Sequence, residues 1–129
     1  MKILIVDDAD QVCRNLEKLL RAQGYETLTA RNGIDGIAAA RKVGDIDLAI
    51  CDYNLPQLDG LSMYSELKTL PGYAKLPAIF LSADTTSEIK SAAKAAGVLA
   101  WVVKPVNDES LVALVETILL KIRASAQTL

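Results

Sequence analysis

Histidine is absent from this chain of 129 residues. That excludes Ser-His-Asp catalysis, Cys-His catalysis and any zinc site built on imidazole. Cysteine is scarce: there are two, and Cys51 lies inside an apolar run where it packs as a small hydrophobe, so no disulfide framework is indicated. No stretch collects Lys and Arg, and the net charge is −2, which argues against direct nucleic-acid binding. No apolar run approaches the ~20 residues that span a bilayer. The apolar start, Met1 to Val6, ends at once in Asp7 and Asp8, unlike a secretory leader. The expected location is the cytoplasm, without membrane insertion, and the chemistry must rest on carboxylates, hydroxyls and lysines.

What the chain does have is 51% hydrophobic residues, enough for one compact core at this length, with no room for a second domain. Short branched apolar runs alternate with segments of helical period. Lys2 to Val6, Tyr25 to Thr29, Ile46 to Cys51, Ala78 to Ser82 and Val98 to Val103 read as strands, the last three as buried parallel ones. Helical stretches lie between them. Val12, Leu16, Leu19 and Leu20 mark the first, which Gly24 stops; Asn32 caps the second, which Gly44 ends; Asp59 caps a third that runs to about Leu70. Ile89, Ala92, Ala93 and Ala96 mark a fourth, and Leu111, Leu114, Val115, Ile118 and Ile122 a fifth. Strict alternation implies right-handed crossovers and a parallel sheet covered on both faces, the doubly wound α/β class.

Ligands of such sheets bind beyond the carboxyl ends of the strands. Asp7 and Asp8 follow the first strand, Asp52 the third, Ser82 closes the fourth and Lys104 follows the fifth. Carboxylates gathered there repel; at an effective dielectric near 20, two charges ~4 Å apart cost about 4 kcal/mol. Lys104 supplies one compensating charge, and a hard divalent cation, Mg²⁺, supplies the rest through carboxylate oxygens and water. A carboxylate can attack phosphorus to give an aspartyl phosphate, with metal and lysine stabilising the transferring oxygens and Ser82 donating a hydrogen bond to one of them.

The pair Asp7-Asp8, the segment Asp52-Tyr53-Asn54-Leu55-Pro56-Gln57-Leu58-Asp59-Gly60, Ser82 followed by Ala83, and Trp101-Val102-Val103-Lys104-Pro105 together resemble the receiver domain of bacterial two-component response regulators. The resemblance covers essentially the whole chain, with a receiver domain over residues 1–124 and a short tail over 125–129. It implies a flavodoxin-like, CheY-like sheet of order 2-1-3-4-5 and a single-domain phosphorylation switch rather than a turnover enzyme. By the same resemblance, Asp52 is the phosphoacceptor, with Asp7, Asp8, Asp52 and the Asn54 carbonyl around Mg²⁺. Ser82 and Lys104 hold phosphoryl oxygens, and Lys104-Pro105 is a cis bond.

Ser82 and Trp101 would form the switch. This chain has Trp101 where the family usually has Tyr or Phe, and Val106 where it often has Phe. By the same resemblance, Asn54 and Asp84 occupy positions that in this family tune water access to the phosphoryl group. The implied partners are a histidine kinase or histidine phosphotransfer protein as donor, and a downstream protein target reached through the face of the fourth helix, fifth strand and fifth helix. A phosphorylation-dependent homodimer is a further expectation. The extra apolar positions Val112, Leu119 and Leu120 are candidates for a partner face.

Three other readings compete. A phosphohydrolase of the haloacid-dehalogenase kind places its nucleophile after the first strand, not the third. A flavodoxin-like cofactor binder needs a Ser, Thr and Gly-rich phosphate loop after strand one, where Asp7-Asp8-Ala9-Asp10 would repel phosphate. A receiver-like module that takes no phosphate would not need the complete set of site residues.

Overall fold

The structure is a computed structural model, and it describes residues 1–83 and 87–127. Five strands, β1 (Lys2–Val6), β2 (Glu26–Ala30), β3 (Leu48–Asp52), β4 (Ala78–Ser82) and β5 (Ala100–Val103), alternate with five helices. The helices are α1 (Asp10–Ala22), α2 (Gly33–Val43), α3 (Gly60–Leu67), α4 (Ser87–Ala95) and α5 (Asp108–Gln127). Every strand pair is parallel, in the order β2-β1-β3-β4-β5. The doubly wound α/β class and the strand order are those expected.

Successive residues of a strand point to opposite faces, and the apolar sequence of β1 therefore feeds two cores. Leu4 and Val6 pack with Ile37 and Ala40 of α2 and Met63 and Leu67 of α3. Ile3 and Ile5 pack with Cys13, Leu16 and Leu20 of α1 and Leu111 and Val115 of α5. β3 and β4 are buried at every residue, as central parallel strands covered on both faces must be.

The ends of elements follow their caps. The Asn32 side chain accepts the Asp35 N–H to start α2, and Gly44 closes it in the left-handed region at φ 83°. Asp59 caps α3 through the Ser62 N–H. That helix stops at Leu67, short of the expected Leu70, because Thr69 and Leu70 bond three residues back and tighten the last turn. β2 starts one residue later than expected, and β3 and β5 start two residues later.

On α5, Leu119 is buried in the core rather than offered to a partner, whereas Leu120 is exposed. Ala92, expected on the inner face of α4, is exposed; Ala93 is the buried residue there. The helix α5 continues through the segment read as a tail as far as Gln127.

Gly60 fixes how closely α3 approaches the end of β3. A Cβ there would lie 2.5 Å from the Asp52 carbonyl oxygen and 3.0 Å from the Phe80 ring. Backbone cannot yield as a flexible side chain does, so Gly60→Ala is expected to destabilise by roughly 1–3 kcal/mol. Urea unfolding checks this, and an unchanged midpoint would contradict it.

Candidate functional site

Because all five strands run the same way, their carboxyl ends meet at one edge. Asp7 leaves β1, Asp52 is the last residue of β3, Ser82 is the last of β4, and Lys104 follows β5. Hydrogen bonds join groups far apart in sequence. The Lys104 Nζ donates to Asp7 Oδ2 at 2.9 Å and to Asp52 Oδ2 at 3.3 Å. The second oxygen of each acid turns the loop that follows: Asp7 Oδ1 accepts the Ala9 N–H at 2.9 Å, and Asp52 Oδ1 accepts the Asn54 N–H at 3.2 Å. Asp and Asn favour such local turns because the short side chain reaches the backbone two residues on.

Asp7 and Asp52 are buried, with 1% and 6% exposure, while Asp8 is exposed. One oxygen from each of Asp7, Asp8 and Asp52 can lie within 4.8 Å of the others. Burial pushes the Asp52 carboxyl above its ordinary range and the charge of Asp7 adds to this; the Lys104 charge and the Asn54 N–H oppose the rise without cancelling it. For Lys104, burial works against the charged form. The hydrogen bond to Asp7 and the charges of Asp52 and Asp7 outweigh it, holding the ammonium above its usual value. Three carboxylates around one ammonium leave an excess of negative charge. The donor set is all oxygen and suits a hard divalent cation of the Mg²⁺ kind.

Ser82 is fully buried, and its backbone carbonyl accepts the Lys104 N–H at 2.9 Å, so strand pairing seats the serine beside the lysine. Ala83 follows it, exposed at the end of β4; Asp84 lies outside the described residues. The Lys104–Pro105 bond is cis. Asn54 is exposed, and its N–H is the group that touches Asp52. Val106 is half-buried against the α1 and α5 core.

Trp101 is half-buried, with its ring stacked on Phe80 at 6.2 Å between centroids and tilted against Tyr53 at 5.6 Å. Its Nε1 is enclosed and makes no hydrogen bond among the described residues. The sequence reading singled out Trp101 but missed Tyr53 as its neighbour; an aromatic placed directly after the acidic strand end was the available signal. It also missed that Asp10, read only as one more acid, pairs with Arg31 at 2.6 Å and Arg14 at 2.8 Å.

The electrostatics fix a sign for stability. A carboxyl whose pKa rises on folding contributes stability that is complete below its unfolded pKa and is lost as pH climbs through the folded value. In the absence of divalent cations, the charge on Asp52 thus destabilises the fold at neutral pH. Asp52→Asn is expected to raise the melting temperature in EDTA at pH 7, and the gap should close on acidification. Thermal unfolding across pH checks this; a lower melting temperature for the variant at neutral pH would contradict it.

Comparison with known proteins agrees with this geometry. The model of the family described as "Response regulator receiver domain" matches residues 3–116. The transcriptional regulatory protein PcoR of Escherichia coli is 37% identical over 127 residues, which are 98% of this chain and 55% of PcoR, so the chain spans about half the length of that relative. The chemotaxis protein CheY-3 of Vibrio cholerae is 32% identical over 112 residues, covering 86% of this chain and 85% of CheY-3. The solved structure of chemotaxis protein CheY4 of Vibrio cholerae superposes with a TM-score of 0.85 at 32% identity, over 91% of this chain and 97% of that one. An acidic edge bridged by one lysine on a 2-1-3-4-5 sheet, found across nearly the full chain, identifies it as a member of the response regulator receiver domain family.

Proposed function

We propose that Asp52 accepts a phosphoryl group from a phosphohistidine carried by a partner histidine kinase or histidine phosphotransfer protein. The observation that carries this reading is the Lys104 ammonium held between Asp7 and Asp52 at the carboxyl edge of the sheet. One Asp52 oxygen attacks phosphorus as the phosphorus–nitrogen bond of the donor breaks. The bonding pair leaves with the imidazole nitrogen, and a phosphorus–oxygen bond forms on Asp52. Lys104, already in contact with the Asp52 oxygen, follows the negative charge onto the phosphoryl oxygens, and the Ser82 hydroxyl donates to another of them. Asp7, Asp8, Asp52 and the Asn54 carbonyl are the residues that would hold Mg²⁺, which when bound neutralises charge on the transferring oxygens.

The chain has no histidine, so it receives the group and is not its source. Slow hydrolysis of the phosphorus–oxygen bond by water returns Asp52 to its starting state, with Asn54 and Asp84 tuning access and giving a lifetime of seconds to minutes. The phosphorylated state signals to a downstream protein target through the face of α4, β5 and α5, where Val103 is 44% exposed, or through a phosphorylation-dependent homodimer. Ser82 and Trp101 transmit the change. We place this cycle in the cytoplasm. No helix among the described residues is long and apolar enough to cross a membrane.

Acetyl phosphate with Mg²⁺ is expected to add one phosphoryl group to the wild type and none to Asp52→Asn, read by intact mass. An equal yield in the variant would remove Asp52 from the site. Beryllofluoride with Mg²⁺ in the same preparation is expected to shift Trp101 emission to shorter wavelength and reduce quenching by iodide. Unchanged emission with bound beryllofluoride would make Trp101 a packing residue only.

A further inference from the structure

At the opposite end of the sheet from Asp52, where β3, β4 and β5 begin, the surface opens into a groove of about 580 Å³. Ile46 and Leu76, both buried, form part of its floor. One wall is α5, which contributes Leu114, Ile118 and Lys121 at the three- and four-residue spacing of a single helical stripe. Leu99, immediately before β5, stands at the rim with 59% of its surface exposed. The same leucine borders a second groove of about 160 Å³, and the two share Lys75, Leu76 and Pro77. Two adjoining grooves around one exposed leucine make a surface of aliphatic side chains interleaved with lysines.

The charge around this surface is opposite to that of the chain. The net charge of the protein is −2, yet Lys75 and Lys121 line the larger groove and Lys68 the smaller. Lys75 and Lys121 are exposed and take part in none of the ion pairs among the described residues. The one acid in the larger groove, Asp47, is occupied, its Oδ2 accepting the backbone N–H of Lys2 at 2.8 Å. Neighbouring Asp45 is paired with the Lys2 ammonium at 2.8 Å. A groove edged by two ammonium groups and one carboxylate carries a net positive charge, complementary to carboxylates flanking aliphatic side chains.

We propose that this groove is a docking site for an acidic amphipathic segment of a partner protein. Its aliphatic side chains sit against Leu99, Leu114 and Ile118, and its carboxylates on Lys75 and Lys121. The five-residue strands put this surface about 17 Å from the acidic edge, and none of its lining residues belongs to that edge. α5 is shared with the output face, and the proposal makes docking at this far end a constitutive tether that does not respond to the state of Asp52; it does not rest on the phosphoryl-transfer reading.

The test uses the full chain, ¹⁵N-labelled, titrated with a capped synthetic peptide of leucine and glutamate in amphipathic helical order. A second peptide, with lysine in place of glutamate, serves as control. Saturable amide shifts are expected at Leu99, Leu114 and Lys121 with the acidic peptide only, with affinity within twofold whether or not beryllofluoride and Mg²⁺ are present. The double variant Lys75→Glu, Lys121→Glu is expected to bind at least tenfold more weakly while keeping a dispersed spectrum, and Leu99→Ser to weaken binding with both lysines in place. The proposal is overturned by shifts absent or centred elsewhere, by equal binding of both peptides, by undiminished binding in the double variant, or by a tenfold response to beryllofluoride. Concentration-dependent self-association through these residues would give the face to a second copy of the chain and overturn it equally.

Discussion

The ammonium of Lys104 lies 2.9 Å from Asp7 and 3.3 Å from Asp52, and it is the contact on which the carboxyl edge of the sheet depends. Without it, two buried carboxylates would face each other in a medium that screens poorly, a repulsion of about 4 kcal/mol at ~4 Å and an effective dielectric near 20. With it, the pair is tolerated but not neutral. The Asp52 carboxyl remains pushed above its ordinary range, chiefly by burial and then by the charge of Asp7. That residual imbalance gives the site an appetite for one more cation and for a charged group that a cation can steady.

Everything around the lysine serves to hold that geometry. Parallel pairing of β3, β4 and β5 fixes the register that puts Asp52 opposite Leu81 and Ser82 opposite Val103, so the lysine leaves β5 one residue beyond its partner serine. Two cores, one on each face of the sheet, make the strands too well packed to slide. Gly60 lets α3 close against the Asp52 backbone, and the loops after Asp7 and Asp52 are each tied back to the carboxylate they follow. The rigidity of the scaffold is what brings the adjacent pair Asp7-Asp8 and the distant Asp52 together at one edge.

Much of this was legible in the sequence because the signals were periodic or local. Apolar runs of strand length, separated by helical stripes, specify a doubly wound sheet, and in that class the residues after strands converge. Asp7, Asp8, Asp52, Ser82 and Lys104 could therefore be picked before any coordinates. Caps were legible where one side chain decides the matter, as at Asn32 and Asp59. What could not be read depends on tertiary packing. Leu119 and Leu120 are adjacent and equally apolar, and the side of α5 that meets the sheet buries the first and exposes the second. The Tyr53–Trp101–Phe80 ring cluster joins two strands and the loop after a third, contacts that no local pattern encodes. The same holds for the lysine-edged groove at the base of the sheet, whose residues come from four separate stretches of chain.

The central claim is that Asp7 and Asp52, bridged by Lys104, form with Asp8 a single divalent-cation site, and calorimetric titration with Mg²⁺ tests it most directly. Asp8 is the informative position, since it is exposed and its removal leaves the Lys104 contacts with Asp7 and Asp52 in place. Wild type is expected to bind one Mg²⁺ per chain, and Asp8→Asn to bind it at least tenfold more weakly with its unfolding transition preserved. Equal Mg²⁺ affinity in wild type and Asp8→Asn, or no saturable binding by the wild type, would contradict the account.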